Sequence, residues 1–240
     1  MNLFVTGTDT DVGKTVITAG IATLMQSLGY KSGVLKPFQS GAIEQNGFTQ
    51  SPDLAFVKQI DPYIATHASY MLKAPTAPCI AAEVEGINID MDVVIKDFNN
   101  LRKKCDTVIV EGSGGIMVPV NPKFIMSDVA KMLNLPVLIV ARPDLGTINH
   151  TLLTINHAVD KGLKVTGVII NRYPENTNDL AIKTAPRLIE EYSDVSVVGI
   201  VKDFGSASLI KPAALIDSML NSIDLEKIFG IKIPKLNIGL

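Results

Sequence analysis

Short apolar runs rich in β-branched residues alternate along this 240-residue chain with stretches whose apolar positions recur at helical spacing. The runs at Leu3–Thr6, Lys31–Lys36, Thr107–Val110, Val137–Ala141, Val165–Ile170 and Ser196–Val201 predict strands. Ile17, Ile21, Leu24 and Leu28 predict a first helix, and Val94, Phe98, Leu101 and Cys105 a second. Ile148, Leu152, Ile155 and Val159 predict a third. Val/Ile runs without polar alternation are the pattern of strands covered on both faces, and hence of a parallel sheet. Strand–helix alternation then gives the fold class: α/β, with a doubly wound, mainly parallel sheet. Ligands of such folds sit beyond the carboxyl ends of the strands, so chemistry is expected there. The stretch Gln39–Gln50 is polar and contains glycine, and reads as a loop. No repeat or linker interrupts the pattern, which predicts one domain over residues 1–240, with the short apolar tail 229–240 left unplaced.

Composition narrows the partners. Hydrophobic residues make up 47% and charged residues 19%, enough to bury a substantial core without disulfides. A formal net charge of −2, with no long basic run, argues against nucleic acid and anionic membranes as partners. Cys79 and Cys105 are far apart and lack ligand spacing. They predict a reduced, cytoplasmic protein in which both are small buried apolar residues. Met1–Gly7 reads as a strand entering a turn rather than a signal peptide. No apolar run approaches the roughly 18 residues needed to span a bilayer. His67, His150 and His157 have no spacing suited to a triad or a zinc site. The absence of a Cys–His nucleophile pair argues against a built-in glutaminase.

The strongest chemical signal is Gly7-Thr8-Asp9-Thr10-Asp11-Val12-Gly13-Lys14-Thr15, between a strand and a helix, which is the context a P-loop requires. Backbone amides of the turn and of the helix start make an anion site, Lys14 adds a positive charge, and Thr15 offers a hydroxyl to Mg²⁺. The first glycine is one position early, giving Gly-x₅-Gly-Lys-Thr. A second signal is the apolar strand Thr107–Val110 running into Glu111-Gly112-Ser113-Gly114-Gly115. A strand-end carboxylate serves a phosphate-bound Mg²⁺, and the glycines let backbone approach a phosphate. Read alone, Glu111 could equally cap a loop. Lys36, in Lys36-Pro37-Phe38-Gln39-Ser40-Gly41, ends the second strand where it could neutralise a transferring phosphoryl group or an anionic substrate. Asp53 follows Ser51 and Pro52 at a helix start, where an acid also suits the helix dipole without any metal.

Together these segments, with Leu145-Gly146-Thr147-Ile148-Asn149-His150, resemble the dethiobiotin synthetase family, in order from residue 1 to about 200. The resemblance implies that 7,8-diaminononanoate, CO₂ and ATP yield dethiobiotin, ADP and phosphate. It implies Thr15, Asp53 and Glu111 as Mg²⁺ ligands. It implies phosphate binding by Lys14 and the amides of Asp11, Val12, Gly13, Lys14, Thr15 and Val16, with Gly112, Ser113 and Gly114 also at the nucleotide. Lys14 and Lys36 would carry the catalysis, and Ser40 would touch substrate. Asn149 would touch the substrate of the partner in a homodimer. Asn171 matches the family's base-contacting Asn. Arg172 stands where an acid is common, and Val201 where Pro often occurs, which predicts relaxed base preference. A P-loop switch ATPase of the partitioning or division-site type is the rival reading. It would usually carry an early lysine, and Thr8-Asp9-Thr10 has none. A cobyrinate-type amide ligase would need a glutaminase domain, for which the chain has no room.

Overall fold

A computed structural model describes residues 1–45 and 47–232. The chain runs β1 (Asn2–Gly7), α1 (Lys14–Ser27), β2 (Ser32–Ser40), β3 (Ile43–Gln45), β4 (Phe48–Gln50), α2 (Pro52–Ile60), β5 (Ala65–Leu72) and α3 (Pro78–Glu85). It continues with α4 (Met91–Arg102), β6 (Thr107–Gly115), α5 (Met126–Met132), β7 (Val137–Ala141), α6 (Thr147–Asp160) and β8 (Val165–Tyr173). Then come α7 (Leu180–Ser193), β9 (Val197–Lys202), a 3₁₀ turn at Ala207–Leu209, α8 (Pro212–Ser222) and α9 (Leu225–Phe229). Seven strands form one sheet in the order β5-β2-β6-β1-β7-β8-β9. Every pairing in it is parallel.

Neighbouring residues of a strand point to opposite faces, so an uninterrupted apolar run feeds two cores at once. Phe4, Leu35, Val108, Val110, Ile139 and Ile170 join one core with Ala81 of α3, Phe98 of α4, Val129 of α5, Ile155 of α6 and Ile189 of α7. Leu3, Val5, Val34, Ile109, Leu138 and Ile169 join the other, with Ile17 and Leu24 of α1, Val57 of α2, Leu215 of α8 and Ile228 of α9. The doubly wound expectation is therefore met, and the six expected strands all form.

Four expectations need correction. The stretch Gln39–Gln50 is not a loop: Gln39 and Ser40 finish β2, and β3 pairs antiparallel with β4 through Ile43↔Gln50 and Gln45↔Phe48. Such a hairpin buries neither face, with Ile43 and Phe48 exposed, so it leaves no apolar alternation in the sequence. The third helical stripe is met at Ile155, which is in the first core, and at Ile148, which packs against it, but not at Val159. The covered side of α6 holds Thr147, Thr151, Thr154, Ile155 and Ala158, whereas Val159 is exposed. Cys79 and Cys105 are half-buried free thiols rather than core residues. Cys105 lies beyond α4, which ends at Arg102, so the second stripe stops one turn early. Within the tail, Ile231 packs against the second core, and residues 233–240 lie outside the described residues.

Candidate active site

The P-loop links β1 to α1 beneath the carboxyl end of the sheet. Glycine is required at both of its ends by contact. A Cβ at Gly7 would lie 2.8 Å from the Asp9 carbonyl, and one at Gly13 would lie 2.0 Å from the amide nitrogen of Asn171. Gly13 also takes φ 88 as the residue preceding α1, and Asp11 is left-handed at φ 59. Non-glycine residues resist that region, so the strain is held where the turn wraps an anion site. Asn171, buried in the carboxyl half of β8, donates its side-chain amide to the Val12 carbonyl at 3.0 Å and pins the turn from two strands away, across β7. The amino group of Lys14 folds back to the Asp9 carbonyl at 3.0 Å. Burial, and then the Lys36 ammonium, lower the pKa of Lys14 to about 8.

The strands β2 and β6, which run on past the expected ends at Lys36 and Val110, and the start of α2 bring the remaining charges to the same place. The Lys36 ammonium from β2 lies 2.6 Å from Asp53 Oδ2 at the start of α2 and 2.7 Å from Glu111 Oε1 on β6. It also donates to the Gly112 carbonyl at 3.3 Å. Thr15 donates its hydroxyl to the same Glu111 oxygen at 2.9 Å. Burial alone would lower the Lys36 ammonium, but the Glu111 and Asp53 carboxylates outweigh it and hold its pKa above the ordinary lysine value. Asp53 is placed by its cap: Ser51 accepts from the Leu54 amide at 3.1 Å and donates to Gln39 at the end of β2. The capping role expected of this segment thus falls to Ser51, and the Asp53 carboxylate turns to Lys36 instead.

These groups open on a cleft of about 790 Å³ lined by Asp11, Gly13, Lys14, Thr15, Val16, Lys36, Ser40, Asp53, Glu111, Ser113, Gly114 and Arg172. That volume suits a small-molecule ligand. Ser40 lines it with a buried hydroxyl that has no hydrogen-bond partner among the described residues, and Ser113 donates its own to the Phe38 carbonyl. Val12 and Gly112 serve through backbone carbonyls behind the wall. Asn149, exposed in the first turn of α6, is not among the cleft residues. Val201 is fully buried in the second core, so only Arg172 of the two expected base-pocket departures stands at the cleft. Arg172 too is left-handed, at φ 56. The sequence reading missed the wall at Pro75, Thr76, Ala77 and Pro78, carried by the unrecognised β5. The Pro-rich stretch Ala74–Pro78 was the available signal. The three histidines stay apart: His67 meets Asp97, His157 meets Ser127, and His150 meets Arg142.

A Gly-Lys-Thr turn opening a helix, beneath a strand-end carboxylate and two convergent lysines, defines a P-loop nucleotide-binding α/β protein. Solved structures agree at the level of fold alone. The MinD cell division protein of Aquifex aeolicus aligns with a TM-score of 0.55 at 16% identity, over 97% of this chain and 98% of its own. The Pyrococcus furiosus cell division ATPase MinD gives 0.56 at 14%, over 84% and 83%. A family profile described as an AAA domain matches residues 1–205. The ATP-dependent dethiobiotin synthetase of Bacillus subtilis strain 168 is 40% identical over 200 residues, covering 82% of this chain and 85% of that protein. The one from Methanocaldococcus jannaschii is 37% identical over 209 residues, covering 83% and 93%. The chain belongs to the ATP-dependent dethiobiotin synthetase family of ligases.

Proposed function

We infer that this chain closes the cyclic urea of dethiobiotin in biotin biosynthesis, using 7,8-diaminononanoate, CO₂ and ATP. One amine adds to CO₂, forming a C–N bond and releasing a proton to give a carbamate. A carbamate oxygen takes the γ-phosphoryl group as its bond to ADP breaks. The neighbouring amine then attacks the carbonyl carbon, and phosphate leaves. Phosphoryl transfer asks a protein mainly for positioning and charge neutralisation. The observation that carries this reading is the convergence of Lys14, Thr15, Lys36, Asp53 and Glu111 on one cleft. Lys14 and the amides from Asp11 to Val16 hold phosphates, with the backbone at Gly112, Ser113 and Gly114 alongside. Lys36 neutralises carbamate and moving phosphoryl, Ser40 contacts the diamine, and Asn171 and Arg172 stand on the base side. The test is ADP release with 7,8-diaminononanoate and bicarbonate each omitted in turn. Turnover should require both; ATP hydrolysis indifferent to either omission would favour the switch-ATPase reading. Arg172 in place of an acid is the remaining ground for relaxed base preference, read by substituting GTP for ATP in the same assay.

Two carboxylates and a hydroxyl around one cation are the donor types a hard divalent ion takes, alongside phosphate oxygens. Thr15, Asp53 and Glu111 would hold Mg²⁺, which when bound supplies charge neutralisation at the phosphates.

The protein is further proposed to be one cytoplasmic domain acting as a homodimer. No described helix is long and apolar enough to cross a membrane. Asn149 opens α6 away from its own cleft, and the exposed Leu145 beside it suits a partner surface. Asn149 would then serve the partner's substrate, with the α6 amides favouring a carboxylate. Mixing inactive Lys36→Met and Asn149→Ala subunits would place both defects in one site of each mixed dimer and none in the other. About half the dimers are mixed at random, so activity should return to roughly one quarter of wild type. No recovery after verified subunit exchange would refute the shared site.

A further inference from the structure

We propose that Lys36 is the resident cation of the divalent-metal site, keeping free ion out until nucleotide phosphates draw its ammonium away. The proposal rests on the reading of Thr15, Asp53 and Glu111 as metal ligands.

The ammonium has three donors, and three acceptors surround it: Asp53 Oδ2 at 2.6 Å, Glu111 Oε1 at 2.7 Å and the Gly112 carbonyl at 3.3 Å. Glu111 Oε1 receives the Thr15 hydroxyl as well, at 2.9 Å. One oxygen of each carboxylate and the hydroxyl that would ligate an ion are therefore already engaged, and engaged around a cation. Solvent offers little relief at Lys36 and Glu111, whose side chains are 5% and 1% exposed, and reaches the site only from the side of Asp53, which is 28% exposed.

A divalent ion placed on these oxygens beside the ammonium would set like charges at contact distance in a poorly solvated site. Moving the ammonium out with no other anion nearby would strand a buried charge. Both penalties vanish together when a triphosphate enters the cleft that Lys36 shares with Lys14 and Thr15. Phosphate oxygens then accept the ammonium, and the carboxylates are freed for the ion. Nucleotide and ion thus strengthen each other's binding by a common factor. Lys36 in turn reaches the reacting groups only in the loaded site.

The test measures Mn²⁺ binding by electron paramagnetic resonance on full-length protein, with and without a non-hydrolysable ATP analogue. Without nucleotide, Lys36→Met and Lys36→Gln should bind one Mn²⁺ roughly tenfold or more tightly than wild type, and Lys36→Arg should resemble wild type. The gain in Mn²⁺ affinity on adding the analogue should be large for wild type and small for Met and Gln. Mn²⁺ alone should also raise the Tm of the Met and Gln variants and leave wild type nearly unmoved, a readout available even if either variant is unstable. Equal affinities and equal coupling in wild type and these variants would overturn the proposal. Asp53→Asn and Glu111→Gln separate the two layers of inference. If they weaken Mn²⁺ binding while the Lys36 variants match wild type, the metal ligands stand and the resident cation falls. If they change nothing with nucleotide present, the metal-site reading itself fails.

Discussion

Lys14→Ala is expected to lower turnover by about three orders of magnitude and to weaken nucleotide binding, because a preorganised cation at the transferring phosphoryl group is lost. The fold should survive. Lys14 is buried against its own preference, with its pKa brought down to about 8 by burial and by the Lys36 ammonium. Its amino group bonds one carbonyl, that of exposed Asp9, which water can satisfy instead. Melting temperature and turnover, measured on the same preparation, separate the two effects. A folded variant turning over near the wild-type rate would remove the P-loop assignment.

Lys36→Met should show a different signature. Its ammonium sits between β2 and β6 against the Asp53 and Glu111 carboxylates, at 2.6 and 2.7 Å. Nucleotide affinity at saturating Mg²⁺ is expected to stay within a few-fold of wild type, while kcat falls about a hundredfold or more. Interactions that strengthen in the transition state produce that split. Single-turnover ADP formation alongside equilibrium nucleotide binding measures both halves. Preserved kcat with a large loss of affinity would place Lys36 among the ground-state binding groups instead.

Much of the site was legible because its chemistry is local in the chain. Gly7 through Thr15 carries its own turn, cap and charge within nine consecutive positions. Lys36 and Glu111 each end an apolar run, and in a parallel sheet all such ends lie along one edge. What was illegible lies in segments without a buried apolar run. The edge strand β5 has only half-buried residues over most of its length, so Ala65–Leu72 lacks the apolar run that marks β2 or β7. The hairpin β3–β4 pairs an exposed segment with one that is exposed or half-buried, and no burial pattern records it.

The sequence by itself determined the doubly wound sheet, the P-loop and the identity of the charged groups around it. Apolar periodicity sets which faces must be covered, and the Gly-Lys-Thr turn admits few other uses. Only the tertiary structure decided that Asp53 faces Lys36 rather than its own helix amides, and that Thr15 and Lys36 share one oxygen of Glu111. It alone decided that Val201 is core and that the Asn171 amide holds the P-loop. The polar contacts among these join groups from separate parts of the fold within 3.0 Å, across as many as 159 positions of chain. Local preference cannot specify such distances; the packing of α1 and α2 against the sheet does.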